Sequence, residues 1–159
     1  MNRLATASVM LGLGGLLFSA CGGASNETDQ SFLACPADTF RVLGSIDQVS
    51  VDITEPAAGG FSQDDNGGAF DQGESGLTAG TQMELDWKKG LLDGQTAPAT
   101  GTIQFAAGAP FAGQSFSAGA GTEVHIAKDQ SIADLQFVLN GLTSADGVVH
   151  TGTLQGCMR

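Results

Sequence analysis

Apolar and polar residues alternate along most of the chain beyond residue 32. Val49, Val51 and Ile53 alternate in "QVSVDIT", Met83, Leu85 and Trp87 in "TQMELDWKK", and Ile103 and Phe105 in "GTIQF". The pattern returns at Val124 and Ile126 in "TEVHIAK" and at Leu135, Phe137 and Leu139 in "DLQFVLN". A period of two puts the apolar side chains on one face, the signature of half-buried antiparallel strands. Glycine-rich breaks separate the runs, and 24 glycines in 159 residues leave little room for long helices. Short strands at this spacing predict an all-β fold, a small antiparallel β-sandwich or barrel built from hairpins. The stretch "SIADLQFVLNGL" also reads as a short helix, and periodicity alone leaves that alternative open.

Two stretches echo one another. Glu84-Leu85-Asp86-Trp87, Gly90-Leu91 and Thr100-Gly101-Thr102-Ile103-Gln104 recur as Asp134-Leu135-Gln136-Phe137, Gly141-Leu142 and Thr151-Gly152-Thr153-Leu154-Gln155. Each copy reads strand, Gly-Leu, polar turn and a strand opening on Thr-Gly-Thr. This predicts two similar hairpins within a meander.

The first twenty residues follow a different rule. From Leu4 to Ala20 no residue is charged, and only Arg3 precedes the run. A short basic start and an apolar core of this length predict a secretory signal. Seventeen residues rising about 1.5 Å each fall marginally short of a ~30 Å hydrocarbon layer. The end of the run, Leu17-Phe18-Ser19-Ala20-Cys21, resembles the lipobox of bacterial lipoprotein precursors. That resemblance implies cleavage before Cys21, a diacylglycerol on its thiol and an acyl chain on its new amino group. Small Ser19 and Ala20 match the pattern; Phe18 departs from it, because leucine is commonest there and here stands one residue earlier. Gly22 and Gly23, rather than aspartate, follow the cysteine. In Gram-negative lipoproteins this implies the outer membrane. The expected layout is a signal peptide over 1–20, lipidated Cys21 with a small, polar, flexible tether over 21–31, and one β-rich domain over 32–159. Several acyl chains anchor stably where one holds only marginally. The resemblance stops at Cys21, and none extends to the body.

Removing Arg3 with the signal leaves five basic residues against 17 acidic ones, a formal charge of −12. Such a surface argues against nucleic acid as a partner, which requires a positive footprint. It also disfavours anionic headgroups beyond the anchor. Two cysteines remain in the body, Cys35 and Cys157. In an exported chain an even pair predicts a disulfide, which would bring the two ends of the domain together. Two free buried thiols, or a metal pair, are the competing readings, and no other cysteine in the body or histidine close in sequence supports the metal.

No catalytic, cofactor or metal set emerges from the residue order. His125 lies between Val124 and Ile126 and so faces away from their side, while His150 stands in "VVHTG". Neither has a nucleophile or metal partner beside it in sequence. "Gly113-Gln114-Ser115-Phe116-Ser117" misses the final glycine of a nucleophile elbow. From Asp64 to Glu74 the chain offers the oxygens calcium takes, but the twelfth residue from Asp64 is Ser75 rather than the glutamate an EF-hand needs. That stretch reads first as a solvated acidic loop. Trp87 shares a face with Met83 and Leu85 and so belongs to the core, whereas Lys88 and Lys89 read as solvent-facing charges at a strand end. By elimination the expectation is a non-enzymatic, lipid-anchored envelope protein with a structural or protein-binding role and another envelope protein as partner. The alternative is a ligand-binding module, for calcium or a small envelope component, using the acidic loop at 61–75. An enzyme ranks third.

Overall fold

The computed structural model describes residues 32–73, 80–129 and 132–159. The signal, Cys21 and the tether up to residue 31 lie outside the described residues, as do Glu74 and Ser75. Among the described residues there is no helix. The strands are β1 (Thr39–Ile46), β2 (Val49–Pro56), β3 (Gly59–Asp64), β4 (Gly67–Gln72), β5 (Gln82–Trp87), β6 (Thr96–Gln104), β7 (Ser115–Ala118), β8 (Glu123–Asp129), β9 (Ile132–Leu139), β10 (Thr143–Ser144) and β11 (Leu154–Met158). The all-β expectation holds, and β9 makes "SIADLQFVLNGL" a strand rather than a helix.

All pairings are antiparallel, in the order β2-β1-β11-β9-β8-β6-β5-β4-β3, with β7 beside β6 and β10 beside β7. The sheet curls at two corners. Strand β6 belongs to both halves: Thr96, Ala97 and Pro98 pair with β8, and residues 99–104 pair with β5. Gly101 permits the close approach there, since a Cβ on it would stand 1.9 Å from the Glu84 carbonyl oxygen. The other corner is at Ala57 and Ala58, which alone join β2 to β3 although these strands occupy opposite ends of the order. Side chains hold this corner. Ala58 N–H donates to Gln72 Oε1 at 3.0 Å, and Gln72 Nε2 donates to the Pro56 carbonyl at 3.2 Å. The Glu55 carboxylate accepts from the Thr81 N–H and hydroxyl, each at 2.9 Å. Strands that change sheet through such bends build the corners of orthogonal β packings.

The inner face carries the apolar positions read from the sequence, Trp87 among them, except Val49, which is exposed at the start of β2. Phe40 of β1, Phe137 of β9 and Phe70 of β4 meet with ring centroids 6.3–6.5 Å apart and bridge the two halves. Lys88 and Lys89 are exposed, as expected.

The outer face departs from simple alternation at β9, where Asp134, Gln136 and Val138 are buried as well as Leu135, Phe137 and Leu139. Strand register sets Arg41, Cys157, Gln136, His125 and Thr96 in one row across five strands. Cys35 is disulfide-bonded to Cys157 with Cα atoms 5.6 Å apart, and Phe32 stacks on His125 with ring centroids 4.7 Å apart. Residues 32–35 therefore cross from β11 over β9 to β8 as a strap. The cysteine pairing expected from parity is present, and His125 lies away from the core, under the strap.

The echoed hairpins share their order but not their register. Leu85 faces Gly101 in the first pair, whereas Leu135 faces Met158 rather than Gly152 in the second. Strand β10 is inserted between β9 and β11 and pairs with β7 instead.

Candidate functional site

The acidic stretch is not an open loop. Asp64 pairs with Gly67, so Asp65 and Asn66 form a two-residue turn between β3 and β4, and Asn66 N–H donates to Asp64 Oδ1 at 2.7 Å. Asp71 lies opposite Gly60 along β4, four residues beyond Gly67, or about 13 Å at strand rise. That separation prevents Asp64 and Asp71 from sharing one cation. Among the described residues no group of three or more His, Cys, Asp and Glu is placed to hold a metal.

Polar chemistry gathers instead at the far turn of the β1–β2 hairpin. Asp47 and Gln48, the two central residues of that turn, have φ of 48° and 68°, the backbone that a two-residue hairpin of the right twist requires. Asp47 Oδ1 accepts from the Thr151 N–H at 2.8 Å and from its hydroxyl at 3.0 Å. Asp47 Oδ2 lies 2.7 Å from His150 Nδ1, and His150 Nε2 lies 2.9 Å from Ser144 Oγ. Ser144 Oγ in turn lies 2.5 Å from Asp146 Oδ1 and 3.2 Å from the Val148 carbonyl. The His150 ring rests edge-on against Phe116, centroids 5.2 Å apart.

A carboxylate can only accept, so a proton on His150 Nδ1 satisfies the contact to Asp47 and leaves Nε2 facing the Ser144 hydroxyl. That hydroxyl has one proton, within reach of Nε2, the Asp146 carboxylate and the Val148 carbonyl. The relay opens onto a groove of about 580 Å³ between residues 113–115 and the turn carrying Ser144, Ala145, Asp146 and Val148. Behind the groove, Phe111 holds φ at 62° with its ring against Phe105 and Phe116. For a bulky residue this is strained backbone, and such strain collects at functional sites.

Both carboxylates are held below the usual carboxylate range. For Asp47 the leading cause is the hydrogen bond to His150, followed by the Thr151 N–H and hydroxyl. For Asp146 it is the Ser144 hydroxyl, followed by the Val148 N–H. A carboxylate whose folded pKa is depressed stabilises the fold above its unfolded pKa and loses that contribution as pH falls through the folded value. Asp47→Asn and Asp146→Asn are therefore expected to unfold more easily than wild type at pH 7. The gap should close below about pH 4, as urea midpoints at pH 7, 4 and 2.5 will measure. A gap unchanged at pH 2.5 would count against carboxylate charge as its source.

Of the residues singled out from sequence, Cys35 and Cys157 come together, His125 lies under the strap, and the acidic stretch becomes a hairpin. Cys21 lies outside the described residues. His150 was set aside because no partner adjoins it in sequence, and the structure brings partners to it from elsewhere. The turn at 145–149 brings Ser144 back onto the ring, and the β1–β2 turn brings Asp47 from 103 residues away. Asp47, Ser144 and Asp146 belong to no linear motif, and only the Ser-Ala-Asp-Gly turn sequence marks the place. No protein family, curated protein or solved structure was found to match this chain.

Proposed function

We propose that this is an exported lipoprotein, held in the bacterial envelope by acylated Cys21 and more specifically at the outer membrane, whose 32–159 domain works by contact with another envelope protein. The observation that supports export is the Cys35–Cys157 bond, which joins residues 122 apart and clamps the start of the domain to its last strand. Such bonds persist in oxidising compartments and are rare in a reducing cytosol. The strap adds a spatial reason. Phe32 stands eleven residues after Cys21, so an extended tether reaches about 38 Å at most, which keeps the domain close to the bilayer. The ligand-binding alternative moves from the acidic hairpin to the groove beside Ser144, because that is where donors, acceptors and strained backbone converge.

Metabolic labelling with an alkyne fatty acid tests the anchor. Wild-type protein is expected to take up label and to fractionate with membranes, and Cys21→Ala to do neither. Unlabelled wild-type protein, or equal labelling of the variant, would overturn the assignment.

A further inference from the structure

We propose that Ser144 is a nucleophile and that the Asp47–His150–Ser144 relay transfers acyl groups from small neutral esters to water. This goes beyond the anchored, contact role and leaves it standing. The expectation of a domain without chemistry came from finding no nucleophile near a histidine in the residue order, and the fold supplies one. A carboxylate on Nδ1 and a hydroxyl on Nε2, at 2.7 and 2.9 Å, is the arrangement in which imidazole acts as general base while the carboxylate fixes its tautomer.

Asp146 determines when this can happen. In the arrangement described, the Ser144 hydroxyl lies 2.5 Å from Asp146 Oδ1, which competes for its proton and leaves the relay at rest. With the Nδ1 proton donated to Asp47, Nε2 is an acceptor, and the Ser144 hydroxyl turns to it when Asp146 lets go. Asp146 sits on the exposed turn and has room to swing away. Ser144 Oγ then bonds to the ester carbonyl carbon, its proton passes to Nε2, and the carbonyl electron pair moves onto oxygen. Collapse of that oxyanion breaks the bond to the alcohol, which leaves with the proton from Nε2. Water attacks the acyl-serine by the same route and releases the carboxylic acid. Ala145, next after the nucleophile, and Gln114 line the same groove; the N–H of the first and the side-chain amide of the second are the oxyanion donors that the proposal assigns.

The surroundings select the substrate. Asp47 and Asp146 flank the relay as charged carboxylates and repel anionic esters, while Gly113, Ala145 and Val148 offer only small or apolar walls. A groove of about 580 Å³ lies within the range of small-molecule sites. Short-chain neutral acyl esters fit both features.

The test uses purified full-length protein in detergent, a fluorescent fluorophosphonate, and p-nitrophenyl acetate as substrate. Wild type is expected to be labelled at Ser144, identified by peptide mass, and to turn over the ester. Ser144→Ala should abolish labelling and ester turnover while remaining folded, its unfolding midpoint falling no further than that of Asp146→Asn. His150→Gln should slow both by about 100-fold or more, and Asp146→Ala should speed both by freeing the hydroxyl. Asp47→Asn is expected to slow labelling and to lower kcat for the ester at little changed KM, a split that a merely structural residue would not produce. Absence of labelling, labelling that survives in folded Ser144→Ala, or labelling indifferent to His150→Gln would each overturn the proposal.

Discussion

Replacing Cys35 and Cys157 together by serine is expected to lower the unfolding free energy of the domain by about 5 kcal/mol. The bond spans 122 residues, and in the chain-entropy model a loop of that size removes about that much from the unfolded ensemble. A domain of this length has only about 5–15 kcal/mol in total, so the variant should sit near the edge of folding. Its melting temperature should fall by roughly 15 °C. A second consequence is local. Without the bond, residues 32–35 are held over β9 chiefly by the Phe32–His125 stack, so the outer face of β9 should open to water. Urea unfolding should show a steeper slope, because the unfolded chain is no longer cross-linked. Hydrogen exchange should show β9 and β11 losing more protection than β4 and β5. A loss under about 1 kcal/mol would show that the strap and the rest of the fold make the bond redundant.

The partner of Cys35 was legible because a body with two cysteines, read as exported, has one pairing to offer. Strands β2, β5, β8 and β9 were legible because each sets apolar residues at every second position against one shared core. What escaped depends on contacts distant in sequence. Gln136 is buried between Cys157 and His125, under a strap that lies over β9 because Cys35 is tied to Cys157 and Phe32 stacks on His125, and Asp134 is buried against Arg159, 3.3 Å from its Nε. The first half of β6 reads Ala97, Pro98, Ala99, too small and too mixed for a pattern, yet it joins the two halves of the sheet. The β3–β4 hairpin passed for a loop because Gly59, Gly60, Gly67 and Gly68 carry no side chains whose alternation could be seen. The relay was the least legible part. Its aspartate and histidine stand in turns 103 residues apart, and turns have no periodicity that predicts which of them will touch.

Phe137→Ala is expected to destabilise the domain by about 3–5 kcal/mol, the range for a buried phenylalanine whose space does not refill. Phe137 is fully buried and stacks on both Phe40 and Phe70, centroids 6.3 Å away in each case. Phe70 belongs to the other half of the sheet, so the cavity would open at the contact that holds the halves together. Collapse around it is restricted, because β9 is paired on both edges, to β8 and to β11. The ring also lies over Gly156, where a Cβ would stand 2.1 Å from its Cζ atom. A methyl at 156 nevertheless cannot refill the space left by Phe137→Ala. The same Cβ would stand 2.6 Å from the Arg41 carbonyl oxygen, a backbone atom that the loss of the ring does not move. The double variant Phe137→Ala with Gly156→Ala should therefore be no more stable than Phe137→Ala alone, measured by urea midpoint at constant slope. Recovery of 1 kcal/mol or more, about the contribution of one buried methylene, would mean that β1 and β11 yield where the packing says they are rigid. Phe61, half-buried on the edge strand β3, supplies the comparison. Phe61→Ala should cost clearly less than Phe137→Ala, since water already reaches part of its surface and no ring from the opposite half rests on it.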